Sequence, residues 1–183
     1  MDFNLDENTR RSWYDPEAIL DAIGLKEGMT FVDVGCAHGF FSILAAKVVG
    51  AKGKVYAVDV NETALERLQQ KAKEEGLTNI TTKAAAAEET IFCKECADFV
   101  FFSMSLHDFR DPSKVLANAR EMIKPEGKLV DLDWKKQEMP FGPPERIRFS
   151  EAKVTELLEA ADFAVESITI GQYHYVVTAK PLL

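Results

Sequence analysis

The 183 residues predict an α/β fold: one mostly parallel sheet with helices on both faces and a single antiparallel strand. Three features of the chain carry that expectation. Apolar, strand-like runs alternate with amphipathic helical stretches five times. An Asp-Pro pair opens two of the helices, at Asp15-Pro16 and Asp111-Pro112. The one hairpin signal, Gly171-Gln172, lies close to the C-terminus.

Taken in order, residues 1–14 read as a loosely ordered segment, polar and charged over 1–12. Asp15 caps a first helix whose Ile19, Leu20 and Ile23 share a face, and Gly24 ends it. A first strand is expected from Thr30 to Val34, followed by a helix from about His38 to Val49. The second strand, Lys54 to Val58, leads to a helix from Asn61 to Glu75 that turns Leu65, Leu68 and Ala72 inward and stops at Gly76. The third strand is Ile80 to Lys83. The fourth, Asp98 to Phe102, is apolar enough to be covered on both faces. Val115, Leu116, Ala119, Met122 and Ile123 form the stripe of the helix that follows. Pro125-Glu126-Gly127 is expected to turn the chain into a fifth strand, Lys128 to Asp133. Residues 135–149, which contain proline and glycine, read as a substrate-side loop, and Ser150 caps a last helix bearing Val154, Leu157, Leu158 and Ala161. Phe163 to Ile170 and Tyr173 to Ala179 complete the sheet as a hairpin.

A chain of this length forms one domain, 1–183, with enough core to need no disulfide framework. Thirty acidic against twenty-two basic residues give a formal charge of −8, which argues against a nucleic-acid partner and for a small-molecule substrate. No apolar run approaches the roughly 20 residues that cross a bilayer, so no membrane partner is expected. With three cysteines and a polar start, a cytoplasmic location is expected. Cys93-Lys94-Glu95-Cys96 offers two of the four ligands a structural zinc needs, and no metal is expected.

In sheets of this kind ligands bind beyond the carboxyl ends of the strands, so the functional residues should follow strands one, two, four and five. The first strand runs into Asp33-Val34-Gly35-Cys36-Ala37-His38-Gly39. Its glycines permit positive φ and close ligand approach, and the helix behind offers unpaired N–H groups. The second strand ends at Asp59, twenty residues after Gly39, where a carboxylate can accept both hydroxyls of a ribose. Together these make a nucleoside site. A dinucleotide fingerprint fails here, because, with Gly35 counted as first, Ala37 stands third and the bulky Phe40 sixth. A P-loop fails too, for want of Gly-Lys-Ser/Thr.

"VDVGCAHGFFSILAA", "VYAVDVNETAL" and "FVFFSMSLHDF" resemble the signature loop, ribose-binding strand and fourth strand of the class I, Rossmann-like S-adenosylmethionine (SAM)-dependent methyltransferases. The likeness spans about residues 15–180. It implies a doubly wound seven-stranded sheet in the order 3-2-1-4-5-7-6 with strand 7 antiparallel. It also implies that Asp33, Gly35, Cys36, Ala37 and Gly39 line the methionine part of SAM, that Asp59 and Val60 meet the ribose side, and that Ser103 faces the cofactor. The chain departs from the family in two places: Ala37 replaces the middle glycine, and Ala86 stands where an adenine-contacting aspartate is usual. Adenine recognition would then rest on backbone groups near Ala86 and Ala87, with Glu88 as a substitute.

Methyl transfer from a sulfonium needs positioning more than a fixed set of catalytic groups, so the cofactor is more legible than the reaction. His107, beyond strand four, is the best general base on titration grounds, with a turn-shaping role beside Asp108 as the alternative. Asp131 and Asp133 share one face of strand five, and Asp133 lies nearer its carboxyl end. "DWKKQEMPFGPPERIRFS" resembles a segment of a small branch of the same family, and Met139 to Phe149 is expected to fold over the pocket. Arg146 or Arg148 would then point inward to clamp a substrate anion, or pair with the acidic surface. The expected function is methyl transfer to a small molecule, with a nicotinamide-dependent oxidoreductase and a non-catalytic SAM-binding module as rivals. So short a chain leaves room for a partner subunit, a homodimer included, to complete the site.

Overall fold

A computed structural model describes residues 7–182. Among them are six α-helices and seven strands: α1 (Glu7–Trp13), α2 (Pro16–Ile23), β1 (Thr30–Val34), α3 (Phe40–Val49), β2 (Lys54–Asp59), α4 (Glu62–Glu74), β3 (Ile80–Ala84), β4 (Ala97–Ser103), α5 (Pro112–Met122), β5 (Ile123–Trp134), α6 (Glu151–Ala160), β6 (Phe163–Ile170) and β7 (His174–Pro181). The sheet order is β3-β2-β1-β4-β5-β7-β6. Strands β1 to β5 pair in parallel, while β7 runs antiparallel to both β5 and β6. This is the expected topology.

Alternation along the central strands sorts the core into two layers. Phe31, Val55, Phe101, Val130 and Leu132 face α2 and α3, and the same side continues through Ala57 to Leu65, Leu68 and Ala72 of α4. Val32, Val34, Val58, Val100, Phe102 and Leu129 face Val115, Leu116 and Ala119 of α5 and Val154 and Leu158 of α6. The expected caps are in place: Asp15, Asn61, Asp111 and Ser150 accept from the backbone N–H three residues on.

Two expectations need correction. Of the segment expected to be loosely ordered, residues 7–13 form α1, and 1–6 lie outside the described residues. Its polar sequence carries no helical stripe, and contacts outside the helix hold it: Trp13 stacks on Phe141, Lys71 pairs with Glu7, and, nearer in sequence, Arg11 with Glu17. Pro125-Glu126-Gly127 is not a turn before β5 but part of it. The strand starts at Ile123, opposite Ala97, and recovers its register through an irregularity before Phe99. Gly127 is needed there, since a Cβ would lie 2.7 Å from the Ala97 carbonyl oxygen.

Candidate active site

The carboxyl ends of β1, β2, β4 and β5 open into one cleft of about 810 Å³. The β1–α3 loop forms its floor. Gly35 and Cys36 donate N–H bonds to Val58 O at 2.9 and 3.1 Å, which draws the loop against the end of β2. Gly35 has φ +75°, and a Cβ there would lie 2.6 Å from Ser105 Cβ. Ser105 in turn donates to Val34 O at 2.8 Å, so the β1 loop and the β4 loop are closely packed together. Ala37 also stands at positive φ, 47°. An alanine is strained there where a glycine is not. Ala37→Gly is therefore expected to raise stability by about 1 kcal/mol, read as a higher thermal midpoint.

Asp33 is buried on the α3 side of β1. Oδ2 accepts from Ser42 Oγ at 2.6 Å, while Oδ1 has no partner. Burial lifts its pKa from 3.8 to about 6, against the Ser42 hydrogen bond and the Arg10 charge. A buried, half-satisfied carboxylate at the cleft wall has an acceptor left for a cationic donor. Nearby, the buried Tyr14 hydroxyl faces both the Ser103 hydroxyl and Arg10, neither hydroxyl makes a well-formed hydrogen bond, and Arg10 itself lines the cleft. Arg10 and Tyr14 were not singled out in the sequence. They precede the first motif, and only the path of α1 brings them in.

Asp59 is half-buried and already used: Oδ2 accepts from Ala37 N at 2.8 Å and Oδ1 from Asn61 N at 2.9 Å. Each oxygen keeps lone-pair capacity toward the cleft. Val60, 72% exposed, and Ala85 to Glu89 form the far wall. Asn118 Nδ2 holds that wall to α5 by donating to Ala87 O and Glu88 O. Glu88 Oε1 accepts from the N–H groups of Arg110 and Asp111 and so anchors the start of α5. His38 Nε2 lies 3.3 Å from Arg67 Nη1. The Cys36 thiol is buried, and burial followed by the charges of Asp33 and Asp59 pushes its pKa up, which leaves it unreactive.

At the other end, His107 Nδ1 and Asp133 Oδ2 are 2.8 Å apart, with both side chains almost wholly buried. Asp133 Oδ1 accepts from Trp134 N, so the carboxylate is fixed. The imidazole donates from Nδ1 to Asp133, which turns Nε2, 3.5 Å from Asp108 Oδ1, into the acceptor atom of the neutral ring. Burial pulls the His107 pKa down. The hydrogen bond and charge of Asp133, with Asp108 behind them, outweigh burial and place it above the ordinary 6.5. Asp131, two residues earlier on the same face, is fully buried with neither oxygen partnered, and burial followed by the Asp133 charge holds its pKa well above the carboxylate range.

Asp33, Gly35, Cys36, Ala37, Asp59, Val60, Ala86, Ala87, Ser103 and His107 therefore share one cleft. Gly39, Asp133 and Arg148 are not on its lining. Gly39 shapes the loop from below, where a Cβ would meet Leu68 Cδ1 at 2.2 Å. Asp133 stands behind His107. Arg148, expected to reach a substrate anion, instead spends its donors on the carbonyls of Pro143, Lys135, Gln137 and Phe141. His174 packs against Trp134 and Trp13, and burial with the charges of Arg148 and Arg10 lowers its pKa to about 4. Cys93 and Cys96 are joined in a disulfide on the loop before β4, away from the cleft lining. Phe40, which breaks the dinucleotide fingerprint, lines the cleft, and its neighbour Phe41 is a core residue stacked against Tyr14 and packed on Phe101.

The model of a methyltransferase-domain family matches residues 25–178. A SAM-dependent methyltransferase from Aquifex aeolicus has the same fold at a TM-score of 0.90, with 36% identity over 96% of this chain and 94% of that one. A demethylmenaquinone methyltransferase of Bacillus subtilis is 32% identical over 120 residues, 66% of this chain and 51% of its own length. The ubiquinone/menaquinone biosynthesis C-methyltransferase UbiE of Haemophilus ducreyi is 30% identical over 118 residues, 64% of this chain and 46% of its own. The chain thus spans about half the length of these curated relatives.

Proposed function

This chain belongs to the SAM-dependent methyltransferases, and on that premise we propose that it methylates a small acceptor whose reactive group is an ionisable hydroxyl, or a carbon conjugated with one, using His107 as general base. The observation that carries the proposal is the His107–Asp133 pair at 2.8 Å, opening into the same cleft as the β1 loop. An acceptor without a proton to lose would need no such pair. The names of the two quinone-pathway relatives support an aromatic hydroxyl compound as the acceptor class.

The residues present fit the cofactor. The unpartnered Asp33 Oδ1 suits the α-ammonium of its methionine portion, and Arg10 with the Tyr14 and Ser103 hydroxyls suits the carboxylate. Asp59 would take the ribose, and the backbone of Ala86 and Ala87 the adenine. When bound, SAM supplies an electrophilic methyl group on a sulfonium. The protein's part is positioning and proton removal. His107 Nε2 takes the hydroxyl proton, Asp133 stabilises the imidazolium, and the electron pair so released makes the acceptor oxygen, or a ring carbon conjugated with it, nucleophilic. Trp134, Phe40, Phe109 and Pro143 also line the cleft and would give an acceptor little water-binding surface to meet.

Turnover of methyl-labelled SAM with a panel of hydroquinones, catechols and phenols tests the reading: labelled product from members of the panel is expected. Product from amine acceptors alone would contradict it. Arg10→Met is expected to weaken S-adenosylhomocysteine (SAH) binding about tenfold. Binding of 5′-methylthioadenosine, which lacks the amino-acid part, should not change. Equal losses for both ligands would remove Arg10 from the carboxylate site.

A further inference from the structure

Residues 135–149 contain Pro140, Pro143 and Pro144 and form no regular element beyond one 3₁₀ turn at Glu145–Ile147. Such a segment leaves carbonyls without backbone partners, and buried carbonyls need donors. Arg148 supplies them. It is 2% exposed and, among the described residues, the one lysine or arginine buried to that degree. Nε donates to Pro143 O at 2.7 Å, Nη1 to Gln137 O at 2.9 Å and Lys135 O at 3.3 Å, and Nη2 to Phe141 O at 3.1 Å. The guanidinium carbon lies 5.8 Å from the Trp134 ring centre. Gly142 lies against that same ring, where a Cβ would come within 3.2 Å of Cε3. Lys136 closes the loop by donating to Arg148 O at 2.9 Å.

We propose that Arg148 is a positioning residue for methyl transfer: its guanidinium ties residues 135–143 into the acceptor-side wall of the cleft. The wall is the product of this knot. Trp134 and Pro143, both on the cleft lining, sit at its two ends, and Phe141 between them stacks on Trp13 of α1.

The proposal rests on the methyltransferase reading, and its test separates the two. Arg148→Met and Arg148→Lys are made in the full chain and compared by SAH titration, tryptophan emission and acceptor kinetics on the phenol and hydroquinone panel. Trp13 and Trp134 are the only tryptophans, and both belong to the cluster around Phe141, so emission reports on the wall. Arg148→Met should red-shift the emission and raise the acceptor KM about tenfold, with SAH affinity within about twofold of the parent. Arg148→Lys keeps the charge but not the fork, and should restore neither the emission nor the acceptor KM. Parent-like emission or a parent-like acceptor KM in Arg148→Met would overturn the proposal, and so would full rescue of both by Arg148→Lys. If Arg148→Met does not fold, parent-like emission and acceptor KM in Arg148→Lys overturn it. Failure of the parent chain to bind SAH would instead strike the methyltransferase reading and leave the emission comparison legible.

Discussion

Asp33→Asn is expected to stabilise the ligand-free protein while weakening SAH binding about 10- to 100-fold, the loss of a charge-assisted contact worth roughly 1.5–3 kcal/mol. Both effects come from one atom, the unpartnered Asp33 Oδ1. Burial raises this carboxyl from 3.8 to about 6. A group whose folded pKa is raised stabilises most below its unfolded value, and that contribution is lost as pH rises through the folded one. The window is therefore about pH 4 to 6, and above it the ionised carboxylate costs up to about 3 kcal/mol. Asparagine removes the cost and keeps an acceptor for Ser42. A cationic ligand reverses the balance by favouring the ionised form, so SAH affinity of the parent should rise from pH 5 to pH 7. Calorimetry at the two pH values, beside thermal melts, checks each part. A variant that binds SAH as the parent does, with the same pH dependence, would separate Asp33 from the cofactor.

His107→Ala is expected to lower kcat by about 10²- to 10⁴-fold with SAH affinity unchanged, the range for removing a general base. Asp133→Asn keeps an oxygen to accept from Nδ1 but loses the negative charge that stabilises the imidazolium, so it should shift the activity profile to lower pH as well as lowering kcat. The sign follows from the pair. With the folded pKa of His107 above 6.5, the stability it contributes is complete below 6.5 and is lost as pH rises through the raised value. Activity runs the other way, since the neutral ring is the base. Stability and rate should therefore move in opposite directions across the same pH interval. Full activity in both variants would leave positioning alone as the source of catalysis.

The sheet was legible in the sequence because its signals are local. Apolar strands, four side-chain caps and the glycine stop after α2 each act within a few residues, and topology rules then leave few arrangements. The part of the cleft formed by Asp33 to Ala37 and Asp59 was legible for the same reason, as these residues carry their geometry in the loops themselves. What escaped depends on contacts distant in sequence. Helix α1 is held by Trp13 on Phe141, and it alone delivers Arg10 to the cleft. Arg148 was visible as an arginine near a pocket, but the direction of a side chain inside a proline-containing loop is set by which carbonyls need donors. Ala37 shows the reverse case, where sequence flagged a departure and the structure shows its cost as a positive φ.

Calorimetric titration of the purified chain with SAH, with NADH as the control ligand, tests the central claim most directly. The account predicts saturable one-site binding of SAH and none of NADH. Binding of NADH with no response to SAH would contradict it.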